Sequence, residues 1–224
     1  MQIENSKYRI KVTKLNELKF LSHLDWQNLI LKTLRRAEVD LALSEGFHPM
    51  PKVSFSPALP IFIESECELI NFATKTPIKK SFIEDFEKNT NKNIKILDLY
   101  EYPSDGRKLE SLDNLVQWAS YQAKVVEGIH KLKDLSYNIS EHLSKDDFFI
   151  EKINKKGIKK NINYKNSVKE LRLADDCVIF TLKAGQDSDI QPLRADEFLE
   201  AVFGDELLFD IKRTHFLNRR LEVL

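Results

Sequence analysis

Along the first hundred residues the hydrophobic period switches repeatedly between two and three-to-four, and this order restricts the fold more than any other feature. Residues 8–12 alternate as a strand. The run that follows sets Leu24 with Leu31, and Ile30 with Leu34 and Ala37, at helical spacing. Residues 52–56 and 67–74 read as two further strands. Pro77 opens a second helix with Phe82, Ile83 and Phe86 as its apolar stripe, and residues 94–100 close in alternation. The order β-α-β-β-α-β is the ferredoxin-like arrangement.

A turn cluster at residues 103–107, with Ser104, Asp105 and Gly106, suits a boundary and divides the chain into 1–103 and 104–224. Beyond it, residues 118–126 read as a strand and 131–143 as a helix. Residues 148–153 and 158–164 make a hairpin about 154–157; a strand at 178–183, a helix from about 194 to 203 and a strand at 207–214 follow. The second half thus repeats the order of the first with one strand extra. The expected fold is α+β, with two tandem ferredoxin-like (βαββαβ) halves and antiparallel sheets.

At 224 residues and 42% apolar content the chain can bury a substantial core in one large domain or two small ones. Thirty-five Lys and Arg balance thirty-five Asp and Glu, so attraction to a polyanion has to come from local clustering. Cys67 and Cys177 stand far apart and outside any metal-ligand spacing; buried free thiols in a reducing cytoplasm are the expectation. The first residues lack the apolar core of a signal peptide, and no apolar run is long enough to span a bilayer. The reading is a soluble cytoplasmic protein with no membrane partner. Phosphate-cradling Gly-rich loops, dinucleotide fingerprints, nucleophile elbows and paired-histidine zinc motifs are absent from the sequence, so no cofactor or metal is expected.

Three stretches carry candidate chemistry. Ser22 and Asp25 form a capping box that puts His23 in the first helical turn, where backbone N–H groups and the helix dipole favour an anion. The same dipole would keep His23 neutral and fit to act as a general base, while the plain alternative is a cap with a packing histidine. Further along, Asn28, Lys32, Arg35 and Arg36 share one side of the helix, a pattern that suits phosphate binding and equally a solvated face. The loop SEGFHPMPK is stiffened by Pro49 and Pro51 and freed at Gly46. Folded back over the helix start, it would bring His48 and Lys52 towards His23 and Arg35; as a structural crossover it would not. The third stretch, residues 152–172, holds eight Lys or Arg against one Glu. Lys155, Lys156, Lys159 and Lys160 would ride on an exposed hairpin beside Tyr164, either tracking nucleic acid or guarding a strand edge. Lys212, Arg213, His215, Arg219 and Arg220 form a basic group near the carboxyl end.

FLSHLD, the Arg35-Arg36-Ala37 triplet, SEGFHPMPKVSF, and ALP followed by ESE resemble the radical SAM-linked domain family, a bacterial family of unknown function found alone or joined to the carboxyl end of radical SAM proteins. Residues 192–198, with Arg194, Asp196 and Glu197, and the segment Ile211-Lys212-Arg213-Thr214 look like its later motifs. Relative to the family pattern, His48 replaces Asn, Met50 replaces His, Phe62 replaces Gly, and Lys165-Asn166 replaces an Arg-Pro pair. His23 and Asp25 keep the pattern. The resemblance implies RNA, plausibly tRNA or ribosomal RNA, as partner, with a separate radical SAM protein or ribonuclease alongside. Two alternatives stand beside such an RNA-binding or substrate-presenting module: a metal-independent endoribonuclease using His23, with Lys52 or an Arg stabilising phosphate charge, and a pure protein partner of a radical SAM enzyme.

Overall fold

The computed structural model describes residues 5–103, 110–127, 132–153, 157–187, 189–204 and 207–224. The chain divides into two compact units, Met1–Asn114 and Leu115–Leu224. It is an α+β protein in which every described strand pairing is antiparallel. Among the described residues no helix is long and apolar enough to cross a membrane.

The first unit runs β1 (Ser6–Lys14), a 3-10 turn (Asn16–Phe20), α1 (His23–Arg36), β2 (Val53–Phe55), β3 (Ile63–Thr74), α2 (Phe82–Lys88) and β4 (Ile96–Tyr102), with α3 (Leu112–Leu115) following at the boundary. Its strands lie in the order β4-β1-β3-β2. Alternation decides which sheet face meets the helices. Tyr8, Ile10 and Val12 of β1, with Ile70 and Phe72 of β3, pack against Trp26, Ile30 and Leu34 of α1 and Phe82 and Phe86 of α2. Each of these large side chains contributes roughly 1.5–3 kcal/mol by leaving water. Tyr8 remains satisfied in this core, its hydroxyl donating to Glu101 Oε1 at 3.2 Å and accepting from the Ile78 N–H at 3.3 Å. The buried stripe of α1 is displaced from the expected one: Trp26 enters the core and Leu24 is 65% exposed. Phe62 has φ 74°, a backbone region that glycine enters freely and other residues enter at a cost.

The second unit runs β5 (Trp118–Glu127), α4 (Leu132–Ser144), β6 (Phe149–Ile153), β7 (Lys159–Asn163), a 3-10 turn (Lys165–Ser167), β8 (Val168–Ala174), β9 (Cys177–Lys183), α5 (Ala195–Phe203) and β10 (Leu208–Leu217). Its sheet has the order β10-β5-β9-β8, and β6 with β7 forms a separate two-stranded hairpin. The core is aromatic: Tyr121 stacks on Phe180 at 5.3 Å, and Phe180 meets Phe198 at 5.2 Å. Sequence periodicity overlooks β8 because Leu171 is its one buried residue, so the alternation that marks a strand is hardly written there. The predicted 158–164 strand is real as β7, but the hairpin it closes stands apart from the sheet, and β8 takes the edge place beside β9. Cys67 and Cys177 are both buried.

Candidate functional site

Ser22 caps α1 as its spacing predicts. Its Oγ accepts from the Asp25 N–H at 3.1 Å and donates to Asp25 Oδ2 at 2.6 Å, so the carboxylate is engaged in closing the helix. His23 follows in the first turn, half-buried and edge-on to Phe55 with ring centroids 6.4 Å apart. Its Nε2 lies 2.8 Å from the Gln27 side-chain nitrogen. With that amide as donor, the Nε2 lone pair is already engaged within the helix.

Of the two readings of the loop, fold-back over the helix start or structural crossover, the backbone pairing follows the second. Arg35 stands twelve residues further along α1, about 18 Å down the helix axis. Five residues after the helix ends, Leu41 bridges Thr74 and the Ala42 N–H donates to Ala73 O at 2.8 Å. The chain then turns out and returns on itself: Ser44 N–H donates to Met50 O at 2.7 Å, Leu43 bridges Pro51, and Lys52 N–H donates to Ala42 O at 2.8 Å. The loop therefore leaves the unit where α1 finishes, and pairing with its own return path keeps it off the helix start. Gly46 supplies φ 126° in this turn, Phe47 after it is fully in solvent and His48 is exposed. Val53 and Phe55 face the helices, which turns Lys52 and Ser54 to the opposite sheet face. There Lys52, Ser54, Lys7, Asn71 and Ala73 line an open cavity of about 320 Å³. Arg35 is thus remote from His23 along α1, and Lys52 lies on the sheet face opposite the helices.

Lys32, Arg35 and Arg36 are exposed on the outer side of α1, and among the described residues none of them has an acidic partner. The basic residues of the second unit are placed differently. Lys152 pairs with Glu197, Lys159 with Glu151 at 3.0 Å, and Arg194 grips Asp196 at 3.1 and 2.5 Å. Arg213 is 1% exposed with its guanidinium 4.2 Å over the Phe216 ring, and Tyr164 is buried. Lys160 is exposed, and Lys155 and Lys156 lie outside the described residues. Burial removes Arg213 and Tyr164 from any surface role. Lys165 serves the fold itself, its ammonium donating to the carbonyls of His142, Leu143 and Lys145 that close α4.

Sequence reading passes over one further group. Lys7, Arg9 and Lys11 alternate with the core residues of β1 and so occupy the helix-free face, where Tyr102 and Tyr100 of β4 register opposite Lys7 and Arg9. The signal was available in the two-residue spacing of cations within KYRIKV. Among the described residues no cluster of three or more His, Cys, Asp or Glu is placed to hold a metal.

Fold and surfaces define an α+β protein whose first unit presents an exposed cationic helix face and a lysine-lined sheet cavity. The chain belongs to the family described as an uncharacterized protein conserved in bacteria (DUF2344), whose model matches residues 7–192. No curated protein shows a significant match to it.

Proposed function

We propose that the protein is an RNA-binding accessory or substrate-presenting module built of two tandem ferredoxin-like halves. The orders β4-β1-β3-β2 and β10-β5-β9-β8 support the architecture: with β5, β8, β9 and β10 as the second set of four, both follow the 4-1-3-2 pattern, and the β6-β7 hairpin is an addition. One observation carries the function. In a chain with no net charge, Lys32, Arg35 and Arg36 stand exposed on one helix without acidic partners among the described residues, whereas on the hairpin Lys152 and Lys159 are neutralised and Lys160 stands exposed. Unpaired cations in a row attract a phosphate backbone, and the planar forks of the two arginines bind phosphate oxygens directly. Phosphate contacts position a nucleic acid without reading its sequence, which suits a presenting module.

The family resemblance supplies the partners: tRNA or ribosomal RNA, and a separate radical SAM protein or ribonuclease. Both cysteines of this chain are buried, so radical chemistry would reside in that partner. Binding of labelled tRNA and ribosomal RNA fragments tests the reading. Arg35→Ala combined with Arg36→Ala weakens binding about tenfold or more at low salt; unchanged affinity in that variant, or no binding by the parent chain, overturns it.

A further inference from the structure

The helix-free face of the first unit is more than a surface left uncovered by helices. Two rows of side chains cross it in register. The first runs Tyr102, Lys7, Ala73 and on to Lys52, whose carbonyl accepts from the Ala73 N–H; the second runs Tyr100, Arg9, Asn71, Ser54. Ala73, with its single methyl group, lies between Lys7 and Lys52 in the first row, and the cavity of about 320 Å³ opens there. At the β4 edge the two tyrosine rings meet edge-to-face at 4.5 Å, and Tyr100 is 52% exposed.

Arg9 links the two parts. Its guanidinium carbon lies 5.3 Å from the centre of the Tyr102 ring, and its Nε donates to Asn71 Oδ1 at 2.7 Å. Asn71 in turn donates to Glu110 O at 3.4 Å, as does Arg9 Nη2 at 3.3 Å. The aromatic edge is thereby held rigid against the cavity wall. Adjacent strands stand about 4.8 Å apart, so the tyrosines and Lys52, three strands distant, are separated by about 14 Å. A four-stranded sheet of this span can stack two or three bases of a single strand.

We propose that this face binds single-stranded RNA, with a base stacked on Tyr100 and a backbone phosphate in the cavity between Lys7 and Lys52. An exposed aromatic ring offers stacking to any base, and lysines beside it neutralise the backbone, which is the combination that single strands require. A duplex keeps its bases stacked internally and gains nothing from Tyr100. The inference rests on the RNA-binding reading above but assigns a different surface from α1 and a particular form of RNA.

The test is fluorescence anisotropy of the full chain with a labelled twelve-nucleotide RNA, single-stranded and as a duplex. The expected result is preference for the single strand, a loss of about 5- to 100-fold in Tyr100→Ala, recovery in Tyr100→Phe, and a separate loss in Lys52→Ala. Tyr100 and Lys52 are exposed, and thermal melting establishes that the variants remain folded. If Tyr100→Ala and Lys52→Ala bind like the parent while Arg35→Ala with Arg36→Ala is weakened, the sheet-face inference falls and the RNA-binding reading stands. If the parent chain binds neither RNA form, both fall.

Discussion

His142 shows how burial of a titratable side chain becomes a property of the whole fold. It is 6% exposed among Phe148 and Phe198, and burial, reinforced by the positive charges of Lys165 and Lys145, lowers its pKa from 6.5 to about 4. The folded protein thus holds it neutral where the unfolded chain would take a proton. Its contribution is complete above pH 6.5 and is lost as the pH falls from about 6.5 towards 4, a change of up to about 3 kcal/mol. Chemical denaturation across that range should show stability declining with acidification, and His142→Gln should flatten the decline; a parent profile that is level between pH 6.5 and 4 would contradict the assignment. Phe62 stores energy in its backbone at φ 74°, while its ring meets Phe20 edge-on at 5.7 Å. Phe62→Gly is expected to leave the melting temperature unchanged or raised, and Phe62→Val to lower stability by about 1–2 kcal/mol. Equal losses in both would show that the ring contact outweighs the backbone.

Elements were legible in the sequence to the extent that their residues alternate cleanly between core and solvent. β1 alternates core residues with cations, β3 carries a dense apolar run, and the start of α1 carries its own cap, so both strands and the Ser22 signal can be read from the residues alone. Ser22→Ala should cost about 1 kcal/mol, read from denaturant midpoints, with the unit still folded; no loss would show that the cap is idle. Edge strand β8 left little trace because one buried leucine writes no period. The course of the loop was not legible at all. Its prolines and glycine announce stiffness, but which end of α1 it covers depends on backbone bonds between Ala42, Lys52 and Ala73, and these are set by pairing with β3 rather than by any local residue. The candidate site divides in the same way. The cationic side of α1 follows from three- and four-residue spacing, whereas the burial of Arg213 and the pairing of the hairpin lysines arise from tertiary contacts that composition does not encode.

For the whole molecule, overall charge neutrality makes the distribution of charge the deciding quantity. Equal numbers of acidic and basic residues give no long-range pull on RNA, so under the proposed function affinity has to come from local clusters of exposed cations such as Lys32, Arg35 and Arg36 on α1. Under the proposed function the protein would bind by releasing counterions at a small number of phosphates, with an affinity that falls as a low power of the salt concentration. The most direct measurement is the slope of log affinity against log salt for single-stranded RNA, taken with the parent chain and with Arg35→Ala combined with Arg36→Ala. A negative slope is expected in the parent, becoming shallower by about 1.4 in the double variant, about 0.7 for each lost phosphate contact. A slope identical in the two proteins, or RNA binding indifferent to salt, would contradict it.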